Sequence, residues 1–280
     1  MTLERPAESR NDAGTLLQWD GAPSEVQSCG PAFHARTYLV RDAFRRLRPR
    51  SVLDIGCGRG HVTAVAAPYA DSVFAVDLAP DAVAETRRRL ASHADAHVAT
   101  ANVLTGEWGE IQPPAGGFGA ILLSEVLEHL DDDAGMLRCA RRLLAERGYL
   151  VITVPAHPSL WTQWDDMAGH IRRYTKRELL SKVTAAGFEV RSFRSWGFPL
   201  SGWLAIRGAK MRGRRVAEHT GSEVPSLLAK AMPLAATVFR PLARVESVFS
   251  NLDRGAGYVV VARARASDAI STGEDRRAAA

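Results

Sequence analysis

Short apolar runs alternate with amphipathic stretches along most of the chain. Apolar runs bounded by turn residues predict seven strands, over residues 52–55, 72–77, 96–100, 119–123, 147–154, 188–195 and 258–265. Apolar positions at helical spacing predict helices over residues 35–47, 61–70, 80–93, 132–145 and 175–187. Because strands separated by helices form parallel sheets covered on both faces, the pattern predicts a doubly wound α/β fold.

The first predicted strand breaks into a run of small residues, Gly56-Cys57-Gly58-Arg59-Gly60. Glycine permits positive φ and lets a ligand approach the backbone, so a strand that enters such a turn before a helix is typical of nucleotide sites. Dinucleotide-binding turns are spaced G-x-G-x-x-G and receive a pyrophosphate. Here the spacing is G-x-G-x-G, and Asp54 stands two residues before the first glycine. That acid would repel a pyrophosphate but could pair with an ammonium group.

The second predicted strand ends in Asp77. It lies about 20 residues beyond the turn, where nucleotide-binding βαβ units carry the carboxylate that holds a ribose. Asp54, the three glycines and Asp77 together resemble the first two motifs of the class I S-adenosylmethionine-dependent methyltransferases. The resemblance covers residues 35–195 and 256–265. It implies S-adenosylmethionine as the cofactor and a Rossmann-like sheet of order 3-2-1-4-5-7-6, whose last two strands pair antiparallel.

The resemblance also assigns residues to the cofactor. Asp77 would bind the ribose hydroxyls, while Asn102 and Val103 would hold the adenine. Many family members have an acid where Asn102 stands, but an amide carbonyl can accept the same hydrogen bond. Arg36 either meets the carboxylate of the cofactor or is only solvated. The full set implied is Arg36, Asp54, Gly56, Cys57, Gly58, Gly60, Asp77, Leu78, Asn102, Val103, Ser124 and Glu125.

A second motif, Ser124-Glu125-Val126-Leu127-Glu128-His129, follows the fourth predicted strand. It resembles the fourth motif of small-molecule methyltransferases of the ubiquinone-pathway type, which borders the sulfonium and the substrate. Glu125 and His129 would share one helical face, because they are four residues apart. His129 either acts as a general base or only orders the start of a helix. The turn [DN]-P-P-[YF], typical of DNA amine methylation, is absent here.

The long segment 155–175 follows the fifth predicted strand and is the predicted substrate loop. It resembles a methyltransferase subgroup with V-P-A-H, a Trp, an acid and then G-H-x-R-R-Y. His157, His170 and Tyr174 join His129 as catalytic candidates, and Trp161, Asp165, Arg173 and Trp196 are predicted to bind the substrate. Three interpretations stay open. The loop could hold a metal through His157, Asp165 or Asp166, and His170, it could bind an anionic group, or it could only be pinned over the cofactor. Because the spacing fits no metal template, no metal is predicted.

Five regions follow from this pattern. Residues 1–34 form a partly disordered leading segment, 35–195 the cofactor-binding core, 196–257 a helical insertion, 258–265 the last core strand and 266–280 a disordered tail. Thr175 and Glu178 form a predicted capping box. Pro233 and Pro241 should kink or divide the helix of the insertion. The insertion is predicted either to be a lid over the substrate or to present apolar and basic faces to a lipid-like substrate or a membrane.

The composition limits the kinds of partner and the cellular compartment that we expect for this protein. The apolar content of 46% is that of a globular protein, and the formal charge of +5 is too small to indicate nucleic-acid binding. Three widely spaced cysteines without a C-x-x-C favour a reducing compartment. Neither a signal peptide nor an apolar run of about 18 residues is visible, so a cytoplasmic protein is expected. The sequence leaves the oligomeric state open.

The sequence therefore predicts methyl transfer from S-adenosylmethionine to a small, hydrophobic or anionic metabolite. It leaves open whether oxygen, nitrogen or carbon is methylated. Two alternatives remain, an enzyme that uses the cofactor for cyclisation or decarboxylation and a non-catalytic binding module. An RNA modifier is a further rival, which would need a contiguous basic face.

Overall fold

A computed structural model describes residues 30–216 and 237–265, without the side chains of 209–216. Seven strands form one sheet in the order β3-β2-β1-β4-β5-β7-β6, which confirms the predicted order. The strands are β1 Ser51–Ile55, β2 Ser72–Asp77, β3 Ala96–Thr100, β4 Phe118–Ser124, β5 Leu144–Pro155, β6 Phe188–Trp196 and β7 Gly257–Ala264. The five strands from β3 to β5 are parallel, and β7 runs antiparallel to both β5 and β6.

Helices cover both faces of the sheet, because successive residues of a buried strand point to opposite sides. Leu53 and Ile55 join one apolar layer, and Val52 joins the other. Helices α1, α2 and α3 pack on the layer of Val52, and α4 and α6 pack on the opposite one. Their bounds are α1 Pro31–Leu47, α2 Thr63–Ala66, α3 Pro80–Arg89, α4 Asp133–Leu143, α5 Gln163–Met167, α6 Lys176–Ala185 and α7 Ser201–Val216.

The helix predicted over 61–70 is shorter than expected. Only Thr63–Ala66 is α-helical, and Ala67–Tyr69 continues as a tighter 3₁₀ turn. Pro68 lies in that turn and lacks a backbone N–H, so it cannot extend the α-helical hydrogen bonds. Thr175 does cap α6, since its side-chain oxygen accepts a hydrogen bond from the Glu178 backbone N–H.

The described part of the insertion contains two helical stretches, α7 and residues 237–246, joined to the sheet by turns. The buried Glu246 side chain joins the two, because its Oε1 accepts hydrogen bonds from the backbone N–H groups of Leu200 (2.7 Å) and Ser201 (2.6 Å). Pro241 was predicted to kink or divide the helix; residues 237–246 are helical without a break, so Pro241 does not divide them. Trp196 belongs to β6 rather than to the insertion. Pro233, residues 1–29 of the segment 1–34 that was predicted to be partly disordered, and the predicted tail 266–280 lie outside the described residues, while residues 31–34 belong to α1. Within the described ranges, no helix has the length and apolarity needed to cross a bilayer.

Candidate active site

The glycine turn follows β1 at the carboxyl edge of the sheet and is fixed to β2 by its backbone. The N–H groups of Gly56 and Cys57 both donate to the Val76 carbonyl, at 2.9 and 3.0 Å. Gly56, Gly58 and Gly60 all have positive φ. A Cβ on Gly56 would lie 2.7 Å from Val126 Cγ2, whereas a Cβ on Gly58 would meet nothing within 4 Å. The turn is therefore packed at its start and open in its middle.

Asp77 lies beside the open part of this turn. Its Oδ2 accepts a hydrogen bond from the Gly58 backbone N–H at 2.7 Å, and its Oδ1 accepts one from Ala79 at 3.0 Å. A cleft opens next to it, lined by Met136 of α4 and by residues at or just after the ends of β1, β2 and β3: Ile55, Gly56, Val76, Asp77, Leu78, Ala101, Asn102, Val103 and Leu104. The structure thus brings the predicted ribose and adenine residues to one cleft.

Asn102 shapes the far wall of the cleft. Its Oδ1 accepts a hydrogen bond from the Leu104 N–H at 3.1 Å, and its backbone pairs with that of Glu107. The side-chain carbonyl that was predicted to accept from adenine therefore already holds its own loop.

Asp54 and Cys57 point into the protein rather than toward the cleft. Asp54 is 2% exposed, and its Oδ2 accepts a hydrogen bond from the Thr63 hydroxyl at 2.6 Å. Burial raises the pKa of Asp54 to about 7, although the Thr63 bond opposes the shift. Burial also raises the pKa of the Cys57 thiol. Asp54 therefore ties the glycine turn to α2, while Cys57 packs in the core.

At the end of β4, three of the predicted cofactor residues meet. Glu125 Oε2 lies 3.1 Å from Arg36 Nη1, and Glu125 Oε1 accepts a hydrogen bond from the Thr153 hydroxyl at 2.9 Å. The Ser124 and Thr153 hydroxyls are 3.0 Å apart. Arg36 Nε is buried and has no partner among the described residues. This edge thus presents a guanidinium and a carboxylate side by side.

The prediction that Glu125 and His129 share a helical face is wrong. Glu125 has a φ of 57° and lies outside any helix, and only Leu127–His129 forms a 3₁₀ turn. The chain must reverse sharply here, because the Glu125 N–H still pairs with the Thr153 carbonyl of the neighbouring strand at 2.9 Å. A positive φ at a residue with a side chain is uncommon and concentrates at functional sites.

The loop after β5 is held by a buried ion pair. Asp165, with no exposed surface, accepts two hydrogen bonds from Arg173, at 2.8 and 3.0 Å, and one from His170 Nδ1 at 2.9 Å. Burial alone would raise the pKa of this carboxyl group, but the bonds from His170 and Arg173 lower it to about 2. Arg173 also donates to the Ala156 carbonyl at 3.1 Å. Its guanidinium therefore holds the loop together.

Tyr174 is fully buried and does not face the cleft. Its hydroxyl donates to Asp133 Oδ2 at 2.7 Å, and Asp133 also pairs with Arg172 and Lys182. Burial and the bond to Asp133 raise the pKa of Tyr174. This environment gives Tyr174 a structural role and argues against the catalytic one.

The predicted loop residues do not form one cluster. His157 Nε2 lies 3.5 Å from both Asp253 Oδ1 and the Tyr258 hydroxyl, so it faces the last strand rather than His170. The proposed metal set of His157, Asp165 or Asp166, and His170 does not assemble among the described residues. Trp161 is 36% exposed, with its indole N–H donated to Asp166.

Trp196 was predicted to bind substrate, but its side chain packs inside the protein. It is 7% exposed and belongs to the apolar layer that contains α1. Its indole Nε1 has no hydrogen-bond partner among the described residues.

Several residues of this region escaped the sequence-based prediction. Thr63 and Thr153 orient Asp54 and Glu125, and Asp253 joins His157 from a distant part of the chain. Glu128 stood within the fourth motif but was given no role.

With this geometry in place, similarity to known proteins decides the family. The sequence profile of the family described as "Methyltransferase domain" matches residues 32–192. The chain belongs to this methyltransferase family. S-adenosylmethionine is the cofactor of its class I members, which confirms the cofactor predicted from the glycine turn and the two acids.

Two proteins with similar sequences support this family membership. The chain is 31% identical over 151 residues to the "Probable S-adenosylmethionine-dependent methyltransferase Rv3030" of Mycobacterium tuberculosis, which covers 52% of each chain. It is 34% identical over 117 residues to the "Ubiquinone biosynthesis O-methyltransferase" of Methylocella silvestris, covering 40% of this chain and 43% of the relative. The chain thus spans about half the length, or less, of these relatives.

Solved structures support the fold alone. The [4+2]-cyclase SpnF aligns with a TM-score of 0.53 and 18% identity, covering 84% of this chain and 82% of its own. The YcgJ protein of Bacillus subtilis aligns with a TM-score of 0.52 and 15% identity, covering 83% and 98%.

Proposed function

We propose that the protein transfers a methyl group from S-adenosylmethionine to a small-molecule acceptor. The observation that carries the proposal is the pairing of the Asp77 cleft with the Arg36–Glu125 pair at the same edge of the sheet. Ligands of doubly wound sheets bind at the carboxyl ends of the strands, and these residues lie there. Asp77 and the backbone around Asn102 and Val103 would contact a nucleoside in the cleft, and the neighbouring guanidinium and carboxylate would contact an amino-acid moiety.

The cofactor supplies an activated methyl group on a sulfonium ion. The protein's own tasks are then to orient the donor and acceptor and to exclude water. Asp77 would bind the ribose hydroxyls. Arg36 would bind the carboxylate of the cofactor through donors that Glu125 does not use, and Glu125 would accept from its ammonium group. The unpartnered Arg36 Nε fits this role.

A proton acceptor is needed only if the methylated atom carries a proton. Burial lowers the pKa of His129, and the charge of the neighbouring His170 lowers it further, so the neutral imidazole is favoured. Its Nδ1 lies 3.2 Å from the Gly169 carbonyl. If Nδ1 carries the proton, Nε2 keeps its lone pair.

The acceptor would enter over the loop after β5 and the helical insertion. The exposed side chains of Trp161, Leu200 and Trp203 offer apolar surface there, which favours a hydrophobic metabolite. The name of the Methylocella relative, a ubiquinone biosynthesis O-methyltransferase, supports oxygen as the methylated atom. We propose α7 and residues 237–246 as the lid of this site.

The test is incubation with S-adenosylmethionine carrying an isotope-labelled methyl group, against a panel of phenols, amines and long-chain carboxylic acids. The expected result is a labelled product of one compound class, with stoichiometric S-adenosylhomocysteine, and loss of both in Asp77→Asn. The matched control Asp95→Asn changes an exposed acid far from the cleft and should retain turnover. Binding of S-adenosylhomocysteine without labelled product from any class would contradict methyl transfer to such acceptors.

A further inference from the structure

The most unusual buried group in the described part of the protein is Glu128. Its side chain has no exposed surface, and neither carboxyl oxygen has a hydrogen-bond partner among the described residues. The 3₁₀ turn Leu127–His129 fixes its backbone, and the Glu128 carbonyl accepts from the Ile171 N–H at 2.9 Å. Burying an isolated carboxylate costs several kcal/mol unless it is paired or binds a metal, so this position needs a ligand or a proton.

Two histidines converge on this carboxyl group. The rings of His129 and His170 are edge to face, with centroids 4.9 Å apart, and His170 Nε2 lies 3.9 Å from Glu128 Oε1. That separation is too long for a hydrogen bond. One ligating atom from each of the three side chains lies within 4.8 Å of the ligating atoms of the other two.

Both imidazoles are oriented from outside the cluster. His170 Nδ1 lies 2.9 Å from the Asp165 carboxylate, and His129 Nδ1 lies 3.2 Å from the Gly169 carbonyl. Both partners accept a hydrogen bond, so each Nδ1 acts as the donor and each Nε2 is left as the nitrogen available to a metal. A metal-binding histidine is held in this way, by a carboxylate or a carbonyl on its other nitrogen.

We propose that Glu128, His129 and His170 form a binding site for a divalent transition-metal ion. Two imidazoles and one carboxylate with open positions suit Mn²⁺, Fe²⁺, Co²⁺ or Zn²⁺. Ligands of such ions stand about 2 Å from the metal, so the three ligating atoms, which lie within 4.8 Å of one another, must move closer together to bind it. Burial raises the pKa of Glu128 well above its usual range, and a bound cation would keep it ionised instead.

The proposal revises two sequence-based predictions, the absence of a metal and the general-base role of His129. Glu125 lies nearby, and its charge contributes to the raised pKa of Glu128. The catalytic use of this site rests on the proposed function. There, the hydroxyl of the acceptor would bind the metal ion at an open position, and the cation would lower the pKa of that hydroxyl.

The test is Co²⁺ binding to the full-length protein, first treated with a chelator and followed by visible absorption and calorimetry. The expected result is one Co²⁺ per chain, with the ligand-field bands of a nitrogen- and oxygen-ligated ion. Glu128→Gln and His170→Asn should each weaken binding by about 100-fold or more. His97→Asn, which removes a surface histidine paired with Asp95, should bind Co²⁺ as the wild type does.

Two results would overturn the proposed metal site. Absence of stoichiometric Co²⁺, Mn²⁺ or Zn²⁺ binding to the wild type overturns it, as does unchanged affinity in both ligand variants. Should one variant fail to fold, His129→Asn supplies the same test. Since the readout is metal binding alone, a protein that binds Co²⁺ but methylates nothing refutes only the proposed function, and a methyltransferase that binds no metal ion refutes only this site.

Discussion

Gly56 and Gly58 belong to one turn, but their surroundings predict different effects of adding a methyl group. In Gly56→Ala the new Cβ would collide with Val126 at a positive φ, which should cost about 2 kcal/mol or more of unfolding free energy. Gly58→Ala meets open space, so it should cost about 1 kcal/mol and mainly weaken S-adenosylhomocysteine binding. Urea denaturation and calorimetry of both variants distinguish the effects. Equal losses of stability would contradict this division of the turn.

The raised pKa of Asp54 should make the unfolding free energy depend on pH. Its pKa is about 7 in the folded protein, compared with 3.8 as the ordinary value, so the folded state holds the proton more tightly. The stability that results is fully present below about pH 4 and is lost as the pH rises through 7. Asp54→Asn cannot titrate. We therefore expect the unfolding free energy of the variant, relative to wild type, to be higher at pH 8 than at pH 5, and a pH-independent difference would exclude the raised pKa.

A substitution of Tyr174 tests whether its role is structural or catalytic. Tyr174→Phe removes the hydroxyl bonded to Asp133 and Leu127 and should lower the unfolding free energy by about 1–3 kcal/mol. Turnover measured at a temperature where the variant is fully folded should stay within a few-fold of wild type. A large loss of turnover in a stable Tyr174→Phe protein would restore the catalytic role.

Among the elements, the loop after β5 depends most on one buried ion pair. Arg173→Met leaves the carboxylate of Asp165 without its main partner, and breaking such a pair typically costs about 3–5 kcal/mol. The matched control is Arg191→Met, which removes an exposed partner of Glu189 and should cost less than about 0.5 kcal/mol. Chemical denaturation of both variants gives the comparison. Similar stability of the two would show that the pair does not hold the loop.

The elements that sequence predicted well are those with short-range patterns. The strands of the parallel sheet and the glycine turn follow from apolar runs and local spacing, and Thr175 follows from its capping motif. The turn after β4 could not be predicted, because Glu125 combines a positive φ with a hydrogen bond to the neighbouring strand, and local sequence spacing does not encode that pairing. The pairing of His157 with Asp253 depends on two segments that only the folded sheet brings together.

At the scale of the whole molecule, the strand order determines where the candidate site lies. The sheet centre brings the ends of β1, β2 and β4 to one edge, where the cleft of Asp77 lies beside the Arg36–Glu125 pair. The family is settled by the match over residues 32–192, while the acceptor is proposed to contact loops and an insertion, which lack the short-range patterns of the sheet. Cofactor chemistry was therefore predictable from sequence, and substrate chemistry was not.

The central claim is that this edge binds S-adenosylmethionine through Asp77. The most direct measurement is calorimetric titration of the purified protein with S-adenosylhomocysteine, for wild type, Asp77→Asn and the control Asp95→Asn. We predict one site per chain, with affinity lowered about 10- to 100-fold in Asp77→Asn and unchanged in Asp95→Asn, as expected for loss of hydrogen bonds to a charged group. Absence of binding to the wild type, or equal binding by folded Asp77→Asn, would contradict the account.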